Sequence, residues 1–177
     1  ELDITLHNGD GQDKAYCIGA LVGKLPRGSL TDIMLSGSIK VTAEAANLEA
    51  AYTSCMGGVV GQCNGTLANV DNLRGGSGAE IVVTNKCRGT GSRYTGGVVG
   101  LLTDANGTLE GGNVRVSVHA EEAEGSWNYT GGVAGGVRFG ALVSDVTVAG
   151  DVTGGKVADY KETNTHAAVG GLVGYVC

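Results

Sequence analysis

The chain has 177 residues, of which 33 are glycine and one is proline; 42% are hydrophobic and only 5% aromatic. This excludes collagen-like and proline-rich chains and wholesale disorder, and leaves Val, Leu, Ile and Ala to fill the interior. Twelve basic against eighteen acidic residues give a net charge of −6 at 17% charged residues, with no basic stripe for nucleic acid and no apolar run near the roughly 20 residues that span a membrane.

In chain order, Glu1-Leu2-Asp3-Ile4-Thr5-Leu6 reads as a strand, followed by the glycine-rich turn Asn8-Gly9-Asp10-Gly11. A signature of two glycines, two aliphatic residues and a glycine then begins. It runs Gly19-Ala20-Leu21-Val22-Gly23, Gly57-Gly58-Val59-Val60-Gly61, Gly96-Gly97-Val98-Val99-Gly100, Gly131-Gly132-Val133-Ala134-Gly135 and Gly170-Gly171-Leu172-Val173-Gly174. The first glycines are 38, 39, 35 and 39 residues apart, a period that marks stacked repeats.

After each of the first four signatures comes Gly-small-Leu: Gly28-Ser29-Leu30, Gly65-Thr66-Leu67, Gly107-Thr108-Leu109 and Gly140-Ala141-Leu142. A polar column follows, Asp32, Asn69, Asn113 and Asp145, each before a β-branched residue, with Glu110-Gly111-Gly112 read as an insertion in the third unit. Gly37-Ser38-Ile39-Lys40-Val41 and Gly150-Asp151-Val152-Thr153 supply a further strand, and Leu2–Leu6 matches that late strand. The blocks are short, β-branched and bounded by glycine, without helical spacing. Three strands per unit predict a three-sided, right-handed parallel β-helix, a β-solenoid of about four to five coils with one repeat per coil, over residues 1–177 as one domain. Glycine is expected to supply positive φ at corners and close approach between coils.

Two residues past each first glycine stand Leu21, Val59, Val98, Val133 and Leu172, and six past stand Leu25, Cys63, Leu102, Val137 and Val176; both sets are expected to face inward. Val22, Val60, Val99, Ala134 and Val173, three past, would point outward by strict alternation. They are either turned in by a bulge or form an apolar docking stripe.

These residues resemble the GLUG-motif repeats of bacterial surface and secreted proteins, with Gly131 to Val152 matching most fully and Gly57 to Val70 and Gly96 to Val114 matching in large part. The resemblance covers almost all of the chain. It implies a right-handed β-helix outside the cell, in adhesin-like proteins or in non-catalytic parts of immunoglobulin A-cleaving metallopeptidases, and no activity of its own.

The search for chemistry yields little. Asp32 and Asp145 could line a groove as in polysaccharide-cutting β-helix enzymes, but Asn69 and Asn113 cannot act as acids or bases, and a residue type recurring in every coil suits a corner better than a catalytic pair. His7, His119 and His166 are scattered, and no metal motif or phosphate loop is present; Gly89-Thr90-Gly91-Ser92 is a plain loop. No catalytic residue, cofactor or metal site is expected. Thr42, Thr84, Thr147 and Thr153 do not read as a flat lattice-binding array.

Cys17 and Cys55 stand two residues before their signatures, in the column later held by Tyr94, Tyr129 and Ala168. One coil apart, they are candidates for a disulfide, with two buried free thiols as the alternative. Cys63 reads as a core residue, and Cys177 as a candidate intermolecular thiol. Asn64, Asn106 and Asn128 match the N-glycosylation acceptor, the first two within the repeat's own turn.

The expected role is a structural or adhesive segment of an extracellular surface protein: stalk, spacer or filament-forming scaffold, cut from a longer chain, with any membrane anchor elsewhere. Expected partners are flanking repeats or further copies end to end, with no nucleic acid and no membrane insertion. A host-protein or glycan binding module using the loops Ala43–Glu49 and Glu121–Trp127 is the second reading, and a polysaccharide-degrading enzyme the third.

Overall fold

The computed structural model describes residues 1–6, 15–44, 47–48, 53–73, 79–89, 91–121, 123–124, 127–154, 157–158 and 166–177. His7, Asn8–Gly11, Thr90 and parts of both loops named above lie outside them.

Among the described residues every element is a β-strand and every ladder is parallel. The chain winds as a β-solenoid of about four turns, one repeat per turn. A leading sheet stacks Cys17–Ile18, Thr53–Gly57, Ser92–Gly96, Asn128–Gly131 and Ala167–Gly170. A trailing sheet stacks Val22–Leu25, Val60–Cys63, Val99–Thr103, Ala134–Arg138 and Val173–Val176. Seven further strands form one bent sheet, and the short segments Asn47–Leu48 with Arg88–Gly89 and Ala123–Glu124 with Val157–Ala158 form two small sheets of two strands each. The first half of the bent sheet holds Ser29–Met34 and Thr66–Asp71, its second half Leu2–Leu6, Ser38–Ala43 and Glu80–Asn85, and Thr108–Ala120 and Leu142–Thr153 run through both.

Leaving these short segments aside, each turn has four strand segments where three blocks were read, because the signature itself bends and gives one strand to each of two sheets. At that bend two successive N–H groups point at one carbonyl of the next turn. Val59 and Val60 donate to Val98 O at 2.9 and 3.0 Å, Val98 and Val99 both to Val133 O at 3.0 Å, and Val133 and Ala134 to Leu172 O at 2.8 and 3.1 Å. This local break in alternation turns both aliphatic residues inward. Val59, Val60, Val98, Val99, Val133 and Ala134 are all fully buried in one core, so the outward apolar stripe does not exist.

The signature glycines other than Gly171 serve close approach. None has a left-handed φ. A Cβ on Gly97 would fall against the Gly132 carbonyl oxygen and lie 2.7 Å from Val116 Cγ1; one on Gly100 would run into the backbone of Cys55 and Met56, where the trailing sheet lies on the leading sheet.

Positive φ falls on glycines outside the signature, among them Gly28 (89°), Gly37 (73°) and Gly140 (81°), and on the polar corner at Asp32 (56°), Asn69 (54°) and Asp145 (55°). The register corrects the sequence reading here. Glu110 pairs with Ala68 and Gly112 with Val70, so Gly111 (φ 67°) is the counterpart of Asn69 and no insertion exists at that point. The third turn takes its extra length earlier, at Asp104–Asn106. Asn113 belongs two residues on, opposite Asp71 and Thr147.

The second half of the bent sheet alternates in and out as a half-buried strand should. Ile39, Val41 and Ala43, then Ile81 and Val83, then Val116 and Val118 point into the core. On its outer face Thr42 and Thr84 share one file with Thr5, His119 and Thr153. Thr42, Thr84 and Thr153 thus fall in one file, while Thr147 lies elsewhere. The file is single and broken by His119.

Candidate functional site

The polar corner forms a cleft of about 400 Å³ lined by Asp32, Met34, Asn69, Asp71 and Asn113. Its side chains bind along the stack. Asn69 Nδ2 donates to Asp32 Oδ1 at 2.9 Å, and Asn113 Nδ2 donates to Asp71 Oδ2 at 3.3 Å. Beside them Asn72, buried, clamps the next turn: its Nδ2 donates to Arg115 O at 2.8 Å and its Oδ1 accepts from Arg115 N at 2.6 Å. Each Asp32 or Asp71 carboxylate thus receives a neighbouring amide, and Asp145 stands exposed at the last turn of this column. This arrangement holds a left-handed corner, for which Asp and Asn are suited because their short polar side chains satisfy nearby groups.

No group of three or more His, Cys, Asp or Glu gathers around a common metal position among the described residues. His119 lies on the outer face, its Nδ1 2.8 Å from Thr153 Oγ1. His166 lies 6.2 Å from Trp127, centroid to centroid.

The cysteine column is as the period requires. Cys17 pairs with Cys55 in parallel register, Cys55 with Tyr94, Tyr94 with Tyr129, and Tyr129 with Ala168. Cys17 and Cys55 are both free thiols, and Cys17 Sγ donates to Gln62 Oε1 at 3.5 Å. The neighbouring Cys55 thiol, with Lys24 nearby, draws the Cys17 thiol down to about 7, whereas Cys55, beside Cys17 and deeply buried, is pushed well up. Cys63 is fully buried between Leu25 and Leu102, as expected of a core residue. Cys87 accepts from the Tyr16 hydroxyl at 2.6 Å. Cys177 is exposed and is held below the usual thiol range by hydrogen bonds with Tyr175 and Arg138.

Of the three acceptor sequons, Asn106 is exposed and Asn64 half-buried. Asn128 is 1% exposed and its Nδ2 donates to Glu121 O at 3.3 Å, so its amide nitrogen is inside the fold and has no room for a glycan.

An aromatic ladder went unread in the sequence. Tyr94 and Tyr129 lie 5.4 Å apart, Tyr129 stacks on Tyr175 at 4.4 Å and 14°, and Trp127 lies 6.4 Å from Tyr129. Burial first, then the Tyr94 and Tyr175 hydroxyls, pushes Tyr129 up to about 12. Gly136 makes room: a Cβ there would lie 2.5 Å from the Tyr94 ring. Where the column shrinks to Ala168, a cleft of about 370 Å³ opens between Trp127, Tyr129, His166 and Tyr175. The signal was present in the column Cys17, Cys55, Tyr94, Tyr129, but Tyr175 stands in the facing column, after Lys24, Gln62, Leu101 and Gly136, and only the stacked sheets bring the two together.

The chain matches no known protein family, and comparison with curated proteins and with solved structures finds no match.

Proposed function

We propose that this chain is a structural β-solenoid segment of an extracellular surface protein, of the GLUG-repeat kind, working as a stalk, spacer or scaffold and carrying no catalysis of its own. The observation that supports this reading is the use of the polar column. Asp32, Asn69 and Asp145 occupy a left-handed corner that Gly111 fills in the third turn, and Asn69 donates to Asp32 along the axis; such a corner is a role every turn needs, whereas a general acid and base are needed once. A catalytic reading requires hydrolysis of an acidic polysaccharide that is abolished by Asp32→Asn or Asp71→Asn with folding intact; that result would reject the scaffold. The extracellular part is tested by protease shaving of intact cells that make the protein, which should release fragments of this region.

The second reading, a glycan-binding module, is favoured by the aromatic cleft. Its volume falls at the lower end of the roughly 300–1,000 Å³ of small-molecule sites, and the Trp127 and Tyr175 rings offer flat apolar faces with polar edges. A glycan array that gives binding lost in Trp127→Ala would establish it, and a blank array would remove it.

A further inference from the structure

Where the trailing sheet lies on the leading sheet, the facing columns change character along the stack. From the third turn on, Tyr94 and Tyr129 meet Leu101, Gly136 and Tyr175. Between the first two turns the same columns instead bring together a thiol, a primary amide and a primary amine: Cys17, Gln62 and Lys24.

Two glycines hold these groups close. A Cβ on Gly23 would lie 2.7 Å from Cys17 O, and one on Gly61 would lie 2.5 Å from Ile18 N, so the residues that follow them, Lys24 and Gln62, run directly over the Cys17 strand. Lys24 and Gln62 are also partners in the parallel ladder, about 4.8 Å apart at the backbone. Cys17 Sγ stands 3.5 Å from Gln62 Oε1, one bond from the carbonyl carbon, and Gln62 Nε2 donates to Asn64 Oδ1 at 3.3 Å, so the amide is held at both ends. With Cys17 drawn down to about 7 by Cys55 and Lys24, a large share of it is the nucleophilic thiolate at neutral pH.

We propose that Cys17 transfers the Gln62 acyl group to Lys24, leaving an isopeptide bond that staples the first turn to the second. The Cys17 thiolate attacks Gln62 Cδ and a C–S bond forms. The Lys24 ammonium offsets the charge that develops on Oε1 and gives a proton to Nε2, which leaves as ammonia. Lys24, now neutral, attacks the same carbon, the C–S bond breaks and the thiolate returns. The extra proton on the new amide nitrogen passes to the released ammonia. In sum an amide and an alkylammonium give an isopeptide and an ammonium ion, with no oxidant or reductant consumed. Cys17 ends as it began, still able to pair with Cys55 on oxidation. All three groups lie between two stacked turns of this chain, so the reaction needs neither a free end of the stack nor a second molecule. It is also independent of where the protein works.

The test is incubation of the chain at neutral pH in reducing buffer, followed by intact mass and peptide mapping. The expected result is loss of one ammonia per chain and a linked peptide pair containing Lys24 and Gln62, formed faster as pH rises through about 7. Cys17→Ser should keep its ammonia and carry no link, with the circular dichroism of the parent. Lys24→Arg should carry no link either, but added hydroxylamine should capture its thioester and label Gln62, and adding Cys17→Ser to that variant should abolish the label. A parent chain in which Lys24 and Gln62 stay unlinked, a link that forms as fast in Cys17→Ser, or a hydroxylamine label that is absent from Lys24→Arg or indifferent to Cys17 would each overturn the proposal.

Discussion

The signature corner and the polar corner turn the same chain by opposite means. At the first, Gly57, Gly96 and Gly131 keep ordinary backbone conformations and are glycine because carbonyl and amide groups of their own and the next turn fill the space a Cβ would take. At the second, Asp32, Asn69 and Asp145 adopt left-handed φ near 55°, and in the third turn Gly111 takes that conformation. At the signature corner glycine marks where backbones touch, and at the polar corner Asp, Asn or Gly marks a left-handed backbone. The first requirement is steric and allows little substitution; the second amounts to about 1–2 kcal/mol of conformational preference that several residues meet.

The largest expected effect lies at the first corner. Val98→Asp places a carboxylate in a fully buried aliphatic column and should lose several kcal/mol, on the order of 3–5, because no partner is present to pair it. Urea unfolding monitored by circular dichroism measures this; a loss below about 1 kcal/mol would show that the corner opens to water.

Gly97→Ala sharpens the comparison directly. A single methyl meets the Gly132 carbonyl oxygen and the Val116 side chain and should cost about 3 kcal/mol through forced separation of two turns. The first turn shows what relaxation looks like: it carries Ala20 at this position, and the N–H bond that Gly58, Gly97 and Gly132 make to the next turn is not made by Ala20 among the described residues.

Beside that loosened first signature, oxidation of Cys17 and Cys55 should close a loop of about 38 residues and add up to about 4 kcal/mol in the chain-entropy picture. Non-reducing peptide mapping after mild oxidation should recover the pair, and the melting temperature should rise; free thiols after oxidation would show that the register Cys17 to Cys55 does not bring the sulfurs within bonding geometry. In the reduced protein, alkylation of Cys17 should accelerate as pH rises through about 7 while Cys55 stays unreactive, since only the thiolate attacks.

At the second corner the effects shrink. Asp145→Ala keeps a left-handed φ without a polar side chain to support it and should cost about 1 kcal/mol. Asp145→Asn and Asp145→Gly should each fall within about 0.5 kcal/mol of the parent, because Asn69 and Gly111 already occupy the equivalent place. Equal losses in all three would mean that the carboxylate itself has a role beyond the turn.

Much of this architecture was legible because a parallel stack obeys a period. The spacing of the signatures placed Cys17 beside Cys55 and Tyr94 beside Tyr129, and it put Cys63 between Leu25 and Leu102. Errors arose where counting alone had to stand for register. Asn113 was matched to Asn69 because both precede valine, yet the ladder from Thr108 to Gly112 is unbroken and Gly111 takes the corner. The tally of three strands failed because a bend inside a five-residue motif leaves no punctuation in the sequence.

The sequence by itself determined the parallel stack, its repeat unit and the aliphatic identity of its core, since each follows from a recurring spacing that one strand type can satisfy. Only the tertiary structure decided which way Val60, Val99 and Ala134 point, which residues carry the left-handed corner, and that Tyr175 joins Tyr94 and Tyr129 in one ladder. Those outcomes depend on a hydrogen bond shared by two N–H groups and on contacts between residues of different sheets, which periodicity along one chain does not encode.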